Sequence, residues 1–418
     1  MESTNLNIEI KNIEKFSFQK KFKEHKTKIE NIVKNIDKTN ELYSDSLGWL
    51  NPFKYTNEKA LNLIDETAKK IKSLGSVLVL IGIGGSNQGA RAVVEALDLP
   101  TTCEVIWAGN NLSSHEVIKI FNRIGDRDFS INVIAKNFET IEPGLAFRIF
   151  RDKLIEKYGK KYSERVFCTG TINSYFYNLC KKENYSFLNF EEDLGGRFSI
   201  FSNVGLLPIA VSNIDIHQLC SGLNNIASIL ENNDEFIDYV AFRTYLNDNN
   251  YPLEMMSFFE DRLFRFGKWW TQLIGESEGK DDKGIFPIIS NFSEDLHSIG
   301  QFIQEGTPLM FETFIKIENQ IEAVSLQKNG VEDHFDYIND KTLLDVNKVA
   351  EIATIKAHEE RLPVCVIKLK QLDEKTIGEL MYFYMYSTYI SCIYFGINPF
   401  SQPGVEMYKK WMFKWLGK

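Results

Sequence analysis

Between residues 11 and 42 the chain is rich in lysine and glutamate. Its apolar residues there, Phe16, Phe18, Phe22, Ile29, Ile32, Val33 and Ile36, recur at helical spacing, which predicts one or two helices. Another helix is expected over 57–74. The pattern then changes to Val77-Leu78-Val79-Leu80-Ile81, a continuous apolar run of the kind shown by a parallel strand buried on both faces. A glycine loop and a helix over 90–97 follow. The alternation continues with a strand at 105–107, a helix over 114–124, a strand at 131–135, a helix over 144–158 and a strand at 166–168. From about residue 215 to about residue 280 the pattern reads as helical. Strands are then expected near 285–289, 311–317 and 364–369, before a long helix over 373–394. Strands alternating with helices imply an α/β fold with mainly parallel sheets.

No stretch between these elements is rich in Pro, Gly or Ser, so two tightly packed αβα sandwich subdomains are expected. Residues 75–215 form the first and 216–399 the second. A helical N-terminal segment, 1–74, is expected to pack on the second subdomain, and 400–418 to form a C-terminal helix at the active site.

Composition sets limits on function. The 418 residues are 44% hydrophobic and 25% charged, an ordinary globular balance with material for a large core. The formal net charge of −9 argues against a nucleic-acid partner, which needs a basic surface, though not against a small anionic substrate. Six cysteines, with no CxxC spacing and mostly inside apolar runs, read as reduced thiols of a cytoplasmic protein. The first ten residues are mostly polar and include Glu2 and Glu9, so no secretory signal is expected. No uninterrupted apolar run is long enough to predict a membrane span.

The turn Gly82-Ile83-Gly84-Gly85-Ser86-Asn87-Gln88-Gly89 joins a strand to a helix, where free N–H groups suit an anion. A dinucleotide fingerprint needs glycine where Asn87 stands and an acid where the next strand ends in Ala108-Gly109-Asn110, so a nicotinamide is disfavoured. A tight turn without ligand remains the alternative. On a helix over 405–417, at about 100° per residue, Lys409 falls among Val405, Met412, Phe413 and Leu416. Lys410, Lys414 and Lys418 fall on another face. An inward lysine needs a partner or a function, unless it snorkels at the helix edge; the tail also reads, less well, as a basic amphipathic membrane helix. Gln272 lies four residues before Glu276, so a helix puts both on one face. Taken alone, Glu276 reads first as an exposed member of a charged loop. Arg197, after two glycines, reads by itself first as an ion-pair partner of Glu191, Glu192 or Asp193, and second as a group held over a ligand.

Six segments in order, spanning most of the chain, change that balance. Asp193-Leu194-Gly195-Gly196-Arg197-Phe198-Ser199-Ile200-Phe201-Ser202-Asn203-Val204-Gly205 and Phe400-Ser401-Gln402-Pro403-Gly404-Val405-Glu406-Met407-Tyr408-Lys409 resemble the two signatures of the bacterial-type glucose-6-phosphate isomerase family. Gly275-Glu276-Ser277-Glu278-Gly279-Lys280 resembles its catalytic-glutamate segment. Asp295-Leu296-His297, with Gln304-Glu305-Gly306-Thr307, resembles its histidine segment. The glycine turn and Gly109-Asn110-Asn111 match as well.

The resemblance implies the sugar-isomerase fold. It implies interconversion of glucose 6-phosphate and fructose 6-phosphate through a cis-enediol(ate), in glycolysis and gluconeogenesis, with no cofactor and no metal. Glu276 would be the proton-transferring base, and Arg197 would hold the enediolate oxygen. His297 and Lys409 would open the sugar ring; imidazole suits proton transfer near neutral pH. The family histidine comes from the neighbouring subunit, which implies a homodimer with shared active sites. Substrate and phosphate would meet Gly85, Ser86, Lys136, Asn137, Thr140, Gly196, Gln272 and Gln402. His25, His115, His217, His334 and His358 have no motif around them and read as surface or satisfied core residues.

The chain departs from the family in two places. Ser401 stands where the family has Asp or Asn. In the phosphate loop Ala135 has lost a hydroxyl, Asn137 replaces one with an amide, and Glu139 adds negative charge. Two alternatives follow: an isomerase of another phosphosugar, or a non-catalytic sugar-phosphate-binding module.

Overall fold

The chain's computed structural model describes residues 4–12, 19–328 and 330–417. Phe16, Phe18 and Lys418, used in the patterns above, lie outside them. Ten strands follow in chain order: β1 (Leu6–Ile10), β2 (Val77–Ile81), β3 (Glu104–Ala108), β4 (Phe129–Ile134), β5 (Val166–Gly170), β6 (Ser186–Asn189), β7 (Leu253–Phe258), β8 (Phe286–Asn291), β9 (Met310–Ile317) and β10 (Val364–Leu369). They form two five-stranded sheets. The first runs β3-β2-β4-β5-β6 and is parallel throughout. The second runs β1-β10-β9-β7-β8, parallel except for β1, which pairs antiparallel with β10. Central strands such as β2 and β4 are buried along their whole length, as expected when helices cover both faces of a parallel sheet.

Three strands depart from the sequence reading. β1 lies in the N-terminal segment expected to be helical, and reaches the second sheet's edge through Leu6–Ile10 paired with Cys365 to Leu369. β7 lies inside the stretch read as continuously helical. Its Leu253-Glu254-Met255-Met256-Ser257-Phe258 is rich in helix formers. Five of its six residues are nevertheless buried between two partners, and sheet packing outweighs local propensity. β6 is a four-residue edge strand, too short to show a period.

The long helix Glu374–Phe395, capped by the Asp373 side chain on the Thr376 N–H, is buried on almost every face. It crosses the helix Ile216–Ala227 so closely that a Cβ on Gly378 would stand 2.1 Å from the Leu219 carbonyl oxygen. The helix Phe264–Glu278 packs against Gln88–Leu97 and so ties one sheet's layer to the other's. All six cysteines are buried and unpaired by disulfides. No helix among the described residues is long and apolar enough to cross a membrane.

Candidate active site

In the first sheet β3 lies on one side of β2 and β4 on the other. The connections diverge there, and open α/β sheets take ligands in the crevice beyond the carboxyl ends of such strands. The turn after β2 and the loop after β4 flank this crevice. Gly85 sits against the signature turn, where a Cβ would stand 2.0 Å from the Gly196 carbonyl oxygen. Only glycine lets the two turns meet. Beyond Gly196 itself a Cβ would project into open space.

A cavity of about 470 Å³ opens here. Gly85, Ser86, Lys136, Asn137 and Thr140 form its wall on the first sheet, and Gly196, Gln402 and Lys409 face them. Eight of the twelve residues singled out in the sequence thus meet around one space.

Three more of the twelve meet beside it. Glu276 lies in the last turn of the helix Phe264–Glu278. Its Oε1 accepts from Gln272 Nε2 at 3.0 Å, one turn earlier on the same face. Its Oε2 accepts from Gln402 Nε2 at 2.6 Å and from Arg197 Nη1 at 3.1 Å. Arg197 is almost wholly buried, and all three of its nitrogens are engaged. Nε donates to Ser277 Oγ at 2.8 Å and Nη2 to the Pro399 carbonyl. Burial pushes the pKa of this guanidinium down and the facing Glu276 charge opposes that push. An arginine stays charged in either case. The rival ion pair within the signature does not form with Asp193, whose carboxylate accepts instead from Lys54 at 2.7 Å and Tyr55 at 2.6 Å. The side chain of Glu276 remains about a third exposed, open to an incoming ligand.

Lys280 was not singled out in the sequence, although it ends the glutamate segment. Its amine donates to the Ser277 carbonyl at 2.7 Å. Burial first, and the Arg197 charge next, bring its pKa from 10.5 down to about 8. Only folding reveals this, since the lysine's sequence neighbours are acidic.

The sequence matches the phosphoglucose isomerase family over residues 59–415. The chain belongs to that family. It is 39% identical over 409 residues to the glucose-6-phosphate isomerase of Staphylococcus haemolyticus, covering 93% of this chain and 92% of that protein. It is 38% identical over 424 residues to that of Staphylococcus aureus, covering 95% and 94%. Among solved structures, a hypothetical protein from Thermus thermophilus superposes with a TM-score of 0.89 at 21% identity, covering 99% of this chain and all of that one. A glucose-6-phosphate isomerase from Chlamydia trachomatis gives 0.73 at 19% identity, covering 85% and 72%. These two likenesses concern the fold.

Three family positions are placed less simply in this phosphoglucose isomerase family member. Lys136, expected to face phosphate, gives two of its three donors to the carbonyls of Glu192 and Leu194, at 2.8 and 2.9 Å, and so braces the signature turn. Lys409 shares its half-buried face with Val405, Met412 and Phe413, as the helical spacing predicts. Leu416, expected on that face, is 66% exposed. The amine is not enclosed either: it pairs with Glu406 at 2.8 Å, a contact that raises its pKa. The lysine thus lies on the apolar face with a partner, at the helix edge, and its amine is not buried. The C-terminal helix Glu406–Leu416 has no buried residue and lies over the cavity without being sunk into the core. His297 is exposed on the turn Glu294–His297 after β8. It neither lines the cavity nor contacts Glu276, Arg197 or Lys409 in any described interaction. Within one chain, the structure does not bring it to the cluster.

The phosphate loop holds a feature absent from the sequence reading. Phe138 has φ of 55°, a left-handed conformation unusual for a bulky residue. Its ring stacks on Phe176 with centroids 4.4 Å apart, which pins the loop in that form. Glu139 then lies on the cavity wall beside Asn137 and Thr140.

Proposed function

We propose that this protein interconverts glucose 6-phosphate and fructose 6-phosphate with Glu276 carrying the proton between C2 and C1. The observation that carries the reading is the Glu276 carboxylate, held by Gln272, Gln402 and Arg197 beside a cavity whose far wall is a glycine turn. Phosphate at Ser86 and the turn's N–H groups, with Thr140 and Asn137 on the same wall, places an open-chain sugar along the cavity towards Glu276. The carboxylate removes the C2 proton. The C2–H electrons become the C1–C2 double bond as charge moves to the carbonyl oxygen at C1, giving a cis-enediolate. Arg197, fixed and desolvated, stabilises that oxygen without reorganising. The hydroxyl proton passes from O2 to O1, Glu276 then returns its proton at C1, and the electrons left on O2 form the ketone at C2. No oxidant and no cofactor enter this balance.

Ring opening needs an acid and a base at O1 and O5. We assign these to Lys409 and to His297 of a second copy of the chain. The exposure of His297, together with exposed apolar Phe286, Phe302 and Leu309 near its segment, supports a homodimer with shared sites. Glycolysis and gluconeogenesis, in the cytoplasm, are the setting that goes with this activity.

A coupled assay of the purified protein tests the substrate assignment. Turnover is expected with fructose 6-phosphate and glucose 6-phosphate above every other phosphosugar in a panel. The rebuilt loop around Phe138 and Glu139 favours one second reading, an isomerase of a different phosphosugar. A higher kcat/KM for such a sugar would establish it.

A further inference from the structure

Glu278, the last residue of the helix Phe264–Glu278, is completely buried. Its Oε1 accepts from Arg243 Nη1 at 2.9 Å and from the Ser391 hydroxyl, and its Oε2 accepts from the Ile285 N–H at 3.3 Å. Arg243 is completely buried too, and donates from Nε to Glu254 Oε2 at 2.6 Å. Glu254 Oε1 in turn accepts from the Tyr239 and Thr313 hydroxyls, each at 2.8 Å. One guanidinium is thus shared by two carboxylates. The groups come from β7, β9 and the helices Asp234–Asp248 and Glu374–Phe395, and they converge on the end of the helix that carries Glu276.

Stability does not explain this network. Taking charges out of water costs several kcal/mol per ion, and well-packed apolar replacements of such pairs are often as stable. Arg243 Nη2 has no hydrogen-bond partner among the described residues, so the network is not even fully satisfied. What a buried, directional network supplies is fixed geometry. A helix end otherwise tends to fray, and Glu276 lies only two residues before this one. Between them Ser277 accepts from Arg197 Nε, so the same turn also sets the arginine.

We propose that Glu278 is a positioning residue for the reaction: its bonds to Arg243 and Ser391 pin the last turn of the helix to the second sheet and so hold Glu276 and Arg197 in register. The proposal rests on the reading of Glu276 as the base. Neither Glu278 nor Ser391 touches the cavity, so substrate binding is left intact when they change.

The test uses Glu278→Gln, which keeps the shape and removes the charge, and Ser391→Ala, which removes the hydroxyl that bonds both Glu278 and Arg243 and keeps both charges. In Glu278→Gln, kcat is expected to fall about tenfold to a hundredfold, the scale on which small misplacements act. KM for fructose 6-phosphate is expected to stay within about twofold. Ser391→Ala is expected to show the same split with a smaller loss. A purely structural role would lower the melting temperature and leave kcat per folded molecule unchanged. That result in either variant overturns the proposal, as does a KM that rises in step with the fall in kcat. If Glu278→Gln does not fold, Ser391→Ala decides alone. Glu276→Gln in the same assay keeps the two claims apart, since activity in that variant would overturn the base assignment itself.

Discussion

Glu276 and Lys280 are four residues apart, and both charges lie close to the Arg197 guanidinium. With the Lys280 amine brought down to about 8, it is a cation below that pH and neutral above it. In the proposed mechanism such a cation would offset negative charge growing on the enediolate, so kcat/KM is expected to fall as pH rises through about 8. In Lys280→Met that limb should vanish and the rate below pH 8 should drop towards the plateau above it. The pH–rate profile of the two proteins checks this; an unchanged alkaline limb in Lys280→Met would remove Lys280 from the site. The same shift has a consequence for folding. The unfolded chain, with the ordinary value of 10.5, holds the proton more tightly than the native one. This lysine's contribution to stability therefore rises as pH climbs from about 8 towards 10.5. At this scale the sequence was informative about residue identity and silent about environment. Glu276, Gln272, Arg197 and Gln402 carried their motifs with them. The burial of Lys280 and the engagement of Lys136 by two carbonyls depend on chain segments far away in sequence.

Elements with a strong period were legible. β2, a run of five buried apolar residues, and the helices following β2, β3 and β4 lie where their patterns put them. β7 was not legible, because Leu, Glu and Met are common in helices and only its two sheet partners make it a strand. β1 was not, because an edge strand of five residues needs β10 to exist. The loop 135–140 reads in the sequence as a departure from the family, and its conformation was not legible. Its left-handed Phe138 is held by Phe176, a partner on a later helix. Ala135 and Asn137 present no hydroxyl to the cavity, and Glu139 adds charge on its wall. Each lost hydrogen bond to a charged group costs roughly 1.5–3 kcal/mol, and about 1.4 kcal/mol is tenfold in affinity. The triple variant Ala135→Ser, Asn137→Thr, Glu139→Thr is therefore expected to lower KM for fructose 6-phosphate by up to about a hundredfold with little change in kcat. An unchanged or higher KM would show that the loop is built for another anion or sugar.

For the whole molecule, the two sheets supply different things. In the proposed reaction the first presents turns and N–H groups to the substrate phosphate. The second, through the helix Phe264–Glu278, delivers the carboxylate, and its buried ion network holds that helix in place. Of the twelve proposed site residues, His297 is the one that the described chain leaves apart. If two chains share their sites, mixing inactive His297→Ala with inactive Glu276→Gln through dissociation and reassociation should restore part of the activity, because each mixed dimer holds one site with both wild-type groups. Heterodimers that form and stay inactive would place the histidine and the glutamate of a working site in the same chain.

The central claim is that Glu276 moves the proton. The most direct measurement is exchange of the substrate C2 hydrogen with solvent, followed by NMR in deuterated water, in wild type and in folded Glu276→Gln. A positioned acid–base group contributes roughly 10²–10⁴-fold, and here one group serves both C1 and C2. Exchange and isomerisation are expected to fall together by about a thousandfold or more. Exchange at near the wild-type rate in Glu276→Gln would contradict the central claim.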